Sequence, residues 1–476
     1  MGKDIIGRTL EKKVMQQLLD NNKSDFLAMY GRRRVGKTFL IREFYKKHTV
    51  FHCSGINTPS MEDQLDIFYE SLITAGVVPT GPPQSWLEAF RALKLLIDGT
   101  KGDRKKVIFL DEISWLDTPR SKFVPALSHF WNTYCEPRND IILVVCGSVS
   151  TWIIDNVLNN RGELHNRHTK KIRLKPFSLH ETEAFLRSKR VKLIRKDICT
   201  LYMLIGGIPY YLNAVDPGRS ISQIMDDMFF GKSAALENEY ENLYPALFKN
   251  ADNHIEIIEA LSTRNAGLTR QEILKSTSLK SGGTFTKVLT ELTSCAFVKK
   301  LYPIDKRSEG AVYRLVDEYS IFYHKYLKTK AIRSGKALGA SRSFNIWSGF
   351  AFENLCIRHG DHIAHGLGIS GTDYEIFTFK TVKTKDHDGV QIDLVIDRAE
   401  AVHIIEAKYY KTEYSLTADE AKRIRNRVAQ FERKTKNRKS IFVSLITPYG
   451  ALKNEHYLAE ITSQLIVDQL FIDMQL

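Results

Sequence analysis

The run Gly31-Arg32-Arg33-Arg34-Val35-Gly36-Lys37-Thr38 sets a glycine-bounded loop and a Lys-Thr pair between an apolar stretch, Phe26–Tyr30, and an amphipathic one, Thr38–Lys47. The pattern G-x-x-x-x-G-K-[ST], with a strand before it and a helix after it, has a specific physical use as a phosphate cradle. Its glycines let main-chain N–H groups turn toward phosphate oxygens, and the start of the helix adds partial positive charge. Lys37 is placed to reach the β and γ phosphates and Thr38 to coordinate Mg2+. Gly31, Arg32, Arg33, Arg34, Val35, Gly36, Lys37 and Thr38 are therefore the candidate nucleotide-binding residues, and ATP and Mg2+ the expected ligands. Such a loop demands an α/β core, because it works only where a strand hands over to a helix.

The surrounding chain supplies that core. Short apolar runs at Phe26–Tyr30, Val50–Cys53, Val107–Leu110 and Ile141–Cys146, with a shorter one near Lys171–Leu174, alternate with amphipathic stretches such as Met61–Ala75 and Trp86–Ile97. This alternation predicts βαβ units and a parallel sheet. Thr80-Gly81-Pro82-Pro83 breaks the pattern as a surface loop. Val107-Ile108-Phe109-Leu110-Asp111-Glu112 is a buried strand ending in two carboxylates. Asp111 is the candidate for the Mg2+ shell, and Glu112 for orienting and polarising the attacking water. Together with Lys37 they form the candidate catalytic set. Ile141–Cys146 leads to Gly147 and Ser148, a third strand with a polar residue at its tip. Arg161 and Arg167 lie in a polar segment from which a charge-stabilising arginine could come; nothing in the sequence chooses between them, and a plain surface role is at least an equal reading for each.

A length of 476 residues exceeds what one hydrophobic core organises, so several units are expected. Residues 1–175 read as the ATPase domain and 176–245 as a helical lid. Within 246–327, Ile257, Ile258 and Leu261 mark one helix, and Thr269-Arg270-Gln271-Glu272 is a capping-box start for a second. A third is predicted from Thr284 to Cys295. Phe297–Leu301 and Val312–Val316 come next as two strands, joined by a polar segment with Pro303, Asp305, Lys306, Arg307 and Gly310. Three short helices and a hairpin are the plan of a winged helix-turn-helix. Lys328–Ser343, rich in Lys, Gly and Ser, reads as a linker into a last unit, 340–476.

Taken together, these segments resemble the archaeal-type ATPases of the AAA+/STAND neighbourhood that carry a C-terminal nuclease-like domain. The matching residues are Ile6-Gly7-Arg8 with Glu11, Tyr30 through Thr38, Leu110-Asp111-Glu112 and Cys146-Gly147-Ser148. Leu174-Lys175-Pro176-Phe177-Ser178, Gly206-Gly207-Ile208-Pro209-Tyr210-Tyr211, Tyr313-Arg314-Leu315-Val316-Asp317 and Phe352-Glu353-Asn354 continue the match over nearly the whole chain. The resemblance implies that Ser148 senses the γ-phosphate and that the Gly-Gly-x-Pro segment belongs to a lid reporting nucleotide state. Read alone, Ser148 is equally a turn serine and Gly206–Pro209 a helix-breaking turn.

Near the C-terminal end, Gln391–Ile396 and Val402–Lys408 read as two strands joined by a turn centred between Ala399 and Glu400. That turn sets Asp393 opposite Glu406, with Cβ atoms about 4.5–5.5 Å apart, close enough for both carboxylates to share a divalent ion. Lys408, two residues on, shares the face. Two acids and a lysine so arranged resemble the core of PD-(D/E)xK nucleases, in which metal and lysine activate water. Asp393 and Glu406 are candidate Mg2+ ligands, with Lys408 completing a candidate catalytic set for a metal-dependent endodeoxyribonuclease. Ile392 stands in place of the proline, Gln391 where an acid is common, and Glu353 is the candidate third acid. The plain alternative is a hairpin with a surface charge cluster.

The partners are indicated by charge. A formal net charge of +14 favours polyanions. Lys422-Arg423-Ile424-Arg425-Asn426-Arg427 and Arg433-Lys434-Thr435-Lys436 form a basic helical stretch that either tracks a nucleic-acid backbone or is a solvated face. Six cysteines stand singly, without metal or redox spacing, and no run of about 20 apolar residues spans a bilayer. A cytoplasmic protein, free of the membrane, capable of oligomerising and binding ATP and DNA, is expected. Its fold class is an α/β P-loop NTPase core with parallel sheet, a helical lid, a winged helix-turn-helix and a C-terminal α/β restriction-endonuclease-like domain. Domain order suggests that nucleotide state controls DNA binding or cleavage. The competing expectation is a slow-ATPase, STAND-like switch whose nuclease-like domain is inactive and binds a partner or DNA.

Overall fold

A computed structural model describes residues 4–77, 81–148, 150–159, 168–248, 250–302, 311–329, 332–381 and 389–474. Thr80, Arg161, Arg167 and the segment holding Pro303, Asp305, Lys306, Arg307 and Gly310 lie outside them. The chain divides into two compact units. The first comprises residues 1–176, 247–249 and 287–296, and the second 177–246, 250–286 and 297–476.

Five parallel strands build the first unit: β1 (Asp25–Tyr30), β2 (Thr49–Ser54), β3 (Lys106–Asp111), β4 (Ile141–Gly147) and β5 (Lys170–Arg173). They lie in the order β2-β3-β4-β1-β5. β3 and β4 are buried along their whole length, as a parallel sheet covered on both faces requires. The helices Met61–Thr74 and Trp86–Gly99 start on Ser60 and Ser85, whose side chains accept from the amides of Asp63 and Glu88. Leu65, Phe68, Trp86, Phe90 and Leu93 bury one face of that pair in a core shared with Phe51, Ile108 and Leu143. In this strand order β4 separates β1 from β3. The tip of β4 therefore stands between the loop at the end of β1 and the carboxylates that end β3.

Gly31 shows why the loop needs its first glycine. Its φ is 145°, and a Cβ there would lie 2.3 Å from the Leu174 carbonyl oxygen. Gly31→Ala is expected to destabilise the first unit by about 2 kcal/mol or more, read as a lower urea midpoint. An unchanged midpoint would show that the loop tolerates a shift away from β5.

In the second unit the helices Leu179–Ser188, Arg195–Ile205 and Pro209–Leu212 come first. Gly207 is fixed by close approach: a Cβ would meet the Phe177 carbonyl oxygen at 2.1 Å, and Phe177 N donates to Gly207 O at 2.7 Å. The helices Asp252–Ser262 and Arg270–Lys275 lie further along, and Gly283–Ser294 is divided between the units, its residues from 287 belonging to the first. Thr269 and Glu272 close the expected capping box. A small antiparallel sheet, β6 (Leu268–Thr269), β7 (Val298–Leu301) and β8 (Val312–Leu315), is ordered β6-β8-β7.

The stretch expected as a linker is instead partly helical. Gly335–Ala340 forms a helix capped by Ser334, and a longer one, Arg342–Arg358, begins on Ser341. Gly335 is pressed against the helix Ile221–Met225, where a Cβ would sit 2.2 Å from Ser222 O, so tertiary packing overrides a composition that locally favours coil.

The remaining sheet is β13-β12-β11-β10-β9, built from β9 (Tyr374–Lys380), β10 (Gln391–Arg398), β11 (Ala401–Ala407), β12 (Ser440–Thr447) and β13 (Ser463–Ile466). β9, β10 and β11 pair antiparallel; β11, β12 and β13 pair parallel. The helix Ala418–Thr435 links β11 to β12 and packs Ala421, Ile424 and Phe431 on the sheet face carrying Val395, Val402 and Ile404.

Candidate functional site

At the carboxyl end of the parallel sheet, Lys37 opens the helix Lys37–Phe44 and is buried. Its Nζ donates to Gly31 O at 2.9 Å and Arg32 O at 3.0 Å and lies 3.4 Å from Ser148 Oγ. Arg34 and Gly36 take left-handed backbone angles, which curl the loop around the ammonium. Arg32 and Val35 are buried within it, and Arg33 and Arg34 are half-buried.

Thr38 and Asp111 meet across the cleft, the Thr38 hydroxyl donating to Asp111 Oδ2 at 2.7 Å. A hydroxyl and a carboxylate converging at this distance are hard oxygen donors, so the pair fits Mg2+. Asp111 Oδ1 also accepts from the Glu112 amide at 2.9 Å. Glu112 itself has φ 44°, a strained angle for a residue with a side chain, and begins the short helix Ile113–Leu116. Both oxygens of its carboxylate are held by one residue. Ser148 Oγ donates to Oε1 at 2.6 Å and Ser148 N to Oε2 at 3.1 Å. The position of β4 between β1 and β3 makes this possible. Lys37, Ser148, Glu112, Asp111 and Thr38 thus lie in one hydrogen-bonded chain. Cys146, just before Ser148, is fully buried, and burial pushes its thiol far up, so it stays protonated and inert.

One contributor has no role assigned from sequence. Arg8, itself at φ 58°, sends its guanidinium to Val35 O at 3.0 Å and Lys175 O at 2.8 Å. Each such charge-assisted bond is worth about 1.5–3 kcal/mol, so Arg8 braces the loop from behind. Its signal in the sequence is only the Ile6-Gly7-Arg8 resemblance.

A second cluster lies within the other unit. The β10–β11 register runs from Leu394–Ile405 to Asp397–Val402, the register expected, and one step beyond it stand Asp393 and Glu406. The pairing of β10 with β9 slips between Ile392 and Val395, so Asp393 sits in an irregular stretch of the kind that re-aims a side chain. Asp393 Oδ1 accepts from Gln391 Nε2 at 2.7 Å. Glu353, from the helix Arg342–Arg358, is raised well above the usual carboxyl range by burial and by Asp393, to which it is hydrogen-bonded. Lys408 Nζ lies 4.0 Å from Glu406 Oε2 and 3.7 Å from Glu420 Oε1.

Two arginines join this cluster. Arg427, from the helix Ala418–Thr435, forms an ion pair with Glu406, and Arg314 on β8 places Nη1 3.9 Å from Asp393 Oδ1. Burial works against the Arg427 cation, yet Glu406, Asp393 and Glu353 together raise its pKa. Asp393 and Glu406 offer the hard oxygens a divalent ion takes, and guanidinium groups stand in for a cation beside both. Among the described residues no group of three or more His, Cys, Asp or Glu side chains forms a metal cluster. The basic stretch is divided: Lys422, Arg423, Arg425, Arg433, Lys434 and Lys436 are exposed, whereas Arg427 turns inward.

Among the described residues no helix is long and apolar enough to cross a membrane. All six cysteines are buried and free.

A parallel sheet in this order, with a glycine-bounded lysine loop after β1 and paired acids at the end of β3, defines a P-loop nucleotide-binding domain. Residues 6–215, less than half of the chain, match the family described as an ATPase domain predominantly from Archaea, which supports a P-loop ATPase domain there. An uncharacterized protein of Methanocaldococcus jannaschii is 23% identical over 358 residues, covering 74% of this chain and 76% of its own. Among solved structures, the Walker-type ATPase of Pyrococcus abyssi aligns with TM-score 0.49 and 16% identity over 68% of this chain and 97% of its own. The Aeropyrum pernix ORC2 protein, in its ADPNP and ADP complexes, aligns with TM-score 0.44 and 16% identity over 72% and 97%.

Proposed function

We propose that the chain binds and hydrolyses ATP in a Mg2+-dependent reaction, and that its nucleotide state governs DNA binding or cleavage by its C-terminal domain. The observation that carries the first part is the hydrogen-bonded chain Lys37–Ser148–Glu112, flanked by Thr38 and Asp111 at 2.7 Å. In this reading the amides from Gly31 to Thr38, with Arg32, Arg33, Arg34 and Val35, enclose the triphosphate. Lys37 exchanges its loop carbonyls for phosphate oxygens. Thr38 and Asp111 would hold Mg2+, which would supply neutralising positive charge to the phosphates. Glu112 orients the attacking water once Ser148 no longer occupies both of its oxygens, and Ser148 thereby links γ-phosphate occupancy to the base.

The second part is supported by the net charge of +14, the exposed basic side of the helix Ala418–Thr435, and three short helices with an antiparallel hairpin after them, read as a winged helix-turn-helix. Asp393 and Glu406, with Lys408, are the proposed metal-dependent nuclease residues. One observation favours a second reading, in which a slow regulatory ATPase uses a silent nuclease-like domain for binding: both acids already have arginines beside them.

Incubation with Mn2+ and plasmid or branched DNA separates the two. Nicking that disappears in Asp393→Ala supports cleavage, whereas DNA retention without Asp393-dependent nicking supports the silent domain. DNA affinity that is the same with and without ATP, and the same in Lys37→Ala, would remove nucleotide control from the account.

A further inference from the structure

We propose that Arg314 is an internal competitor for the cation that Asp393 and Glu406 would take, so that uptake of a divalent ion there releases β8 from the carboxylates. This rests on the reading of those two acids as a cation site. The observations behind it concern Arg314 itself. It is only 5% exposed, and among the described residues its Nε has no hydrogen-bond partner. Its contact with Asp393, at 3.9 Å, is one of charge and not a hydrogen bond.

A guanidinium serving purely as a strut would be expected to grip a carboxylate with two parallel N–H bonds. Here Asp393 instead gives Oδ1 to the Gln391 amide at 2.7 Å, and the buried arginine is left under-bonded. Burial lowers the Arg314 pKa, and Asp393 and then Glu353 oppose that effect. Arg314 also pairs across the hairpin with Lys299, a like charge directly opposite it. The carboxylates therefore hold Arg314 in place against like-charged neighbours.

A divalent ion and a guanidinium cannot both sit against Asp393 without strong repulsion. Either the ion is excluded or Arg314 withdraws, and Arg314 is part of the ladder joining β8 to β7 from Val298–Leu315 to Leu301–Val312. The hairpin thus becomes the element that reports occupancy of the carboxylates. Arg427 reaches Glu406 from the helix Ala418–Thr435 and not from this hairpin.

The test is Mn2+ binding by calorimetry to the full chain without nucleotide, in wild type, Arg314→Met and Asp393→Asn, with uptake lost in Asp393→Asn assigned to this site. Arg314→Met is expected to bind Mn2+ at this site about tenfold or more tightly than wild type. Hydrogen exchange on the wild-type chain is the parallel measurement: saturating Mn2+ should raise exchange at the 298–301 and 312–315 amides, and Asp393→Asn should abolish the rise. Should Arg314→Met fold poorly, the exchange result decides. Asp393-dependent uptake with equal affinity in Arg314→Met, or with unchanged hairpin exchange, overturns the competition while leaving the cation site standing. Absence of Asp393-dependent uptake in both wild type and Arg314→Met removes the cation site itself, and this inference with it.

Discussion

Lys37→Ala is expected to lower ATP turnover by at least about 100-fold, because a preorganised charge aimed at the transferring phosphate is among the largest single contributions to such a site. The structure shows where that charge waits. Lys37 Nζ is held by Gly31 O and Arg32 O, so the loop is curled around the ammonium before any phosphate arrives. Truncation removes both the phosphate contact and the brace, and nucleotide affinity should fall together with turnover. A steady-state phosphate-release assay, beside a thermal melt to verify folding, reads the effect. Turnover within a few-fold of wild type in well-folded Lys37→Ala would place the chemistry elsewhere.

Glu112→Gln separates binding from chemistry. The carboxylate sits beyond the Thr38–Asp111 pair and is held through both oxygens by Ser148. An amide keeps the size and can still accept from Ser148, yet it polarises water poorly. The expected result is nucleotide binding within a few-fold of wild type and turnover reduced by about 100-fold or more, the scale of a lost general base. Bound ATP should then persist on the variant through gel filtration. Equal losses of affinity and turnover would mean that Glu112 shapes the pocket and does not act on water.

The contrast between these two residues and the rest of the site explains what a sequence can disclose. Lys37, Thr38, Asp111 and Glu112 are legible because their chemistry depends on local order: a loop between a strand and a helix, and acids at a strand end. The strands that carry them also emerge from their apolar runs, with β1 to β5 within a residue or two of expectation. Asp393 and Glu406 are legible for a similar reason, since a short turn dictates register across a hairpin.

The features that escape a sequence reading are non-local. Ser148 clamps Glu112 because β4 inserts between β1 and β3, a fact of strand order that no local run records. Arg8 reaches Val35 and Lys175 across 27 and 167 positions of chain. Arg314 finds Asp393 by folding of the small sheet, and the slip in pairing that carries Asp393 has no glycine to announce it. Lys328–Ser343 reads as a linker because its Gly and Ser residues favour coil, whereas Gly335 allows close contact with Ser222. In each case the deciding partner lies far away in sequence, where periodicity and turn chemistry carry no information.

The central claim is that main-chain amides and Lys37 cradle a triphosphate. Titrating Mg-ATP into the full chain by calorimetry tests it most directly. The account predicts saturable uptake of about one nucleotide per chain, lost or strongly weakened in Lys37→Ala. Folded wild-type protein that takes up neither ATP nor GTP in magnesium buffer would contradict it.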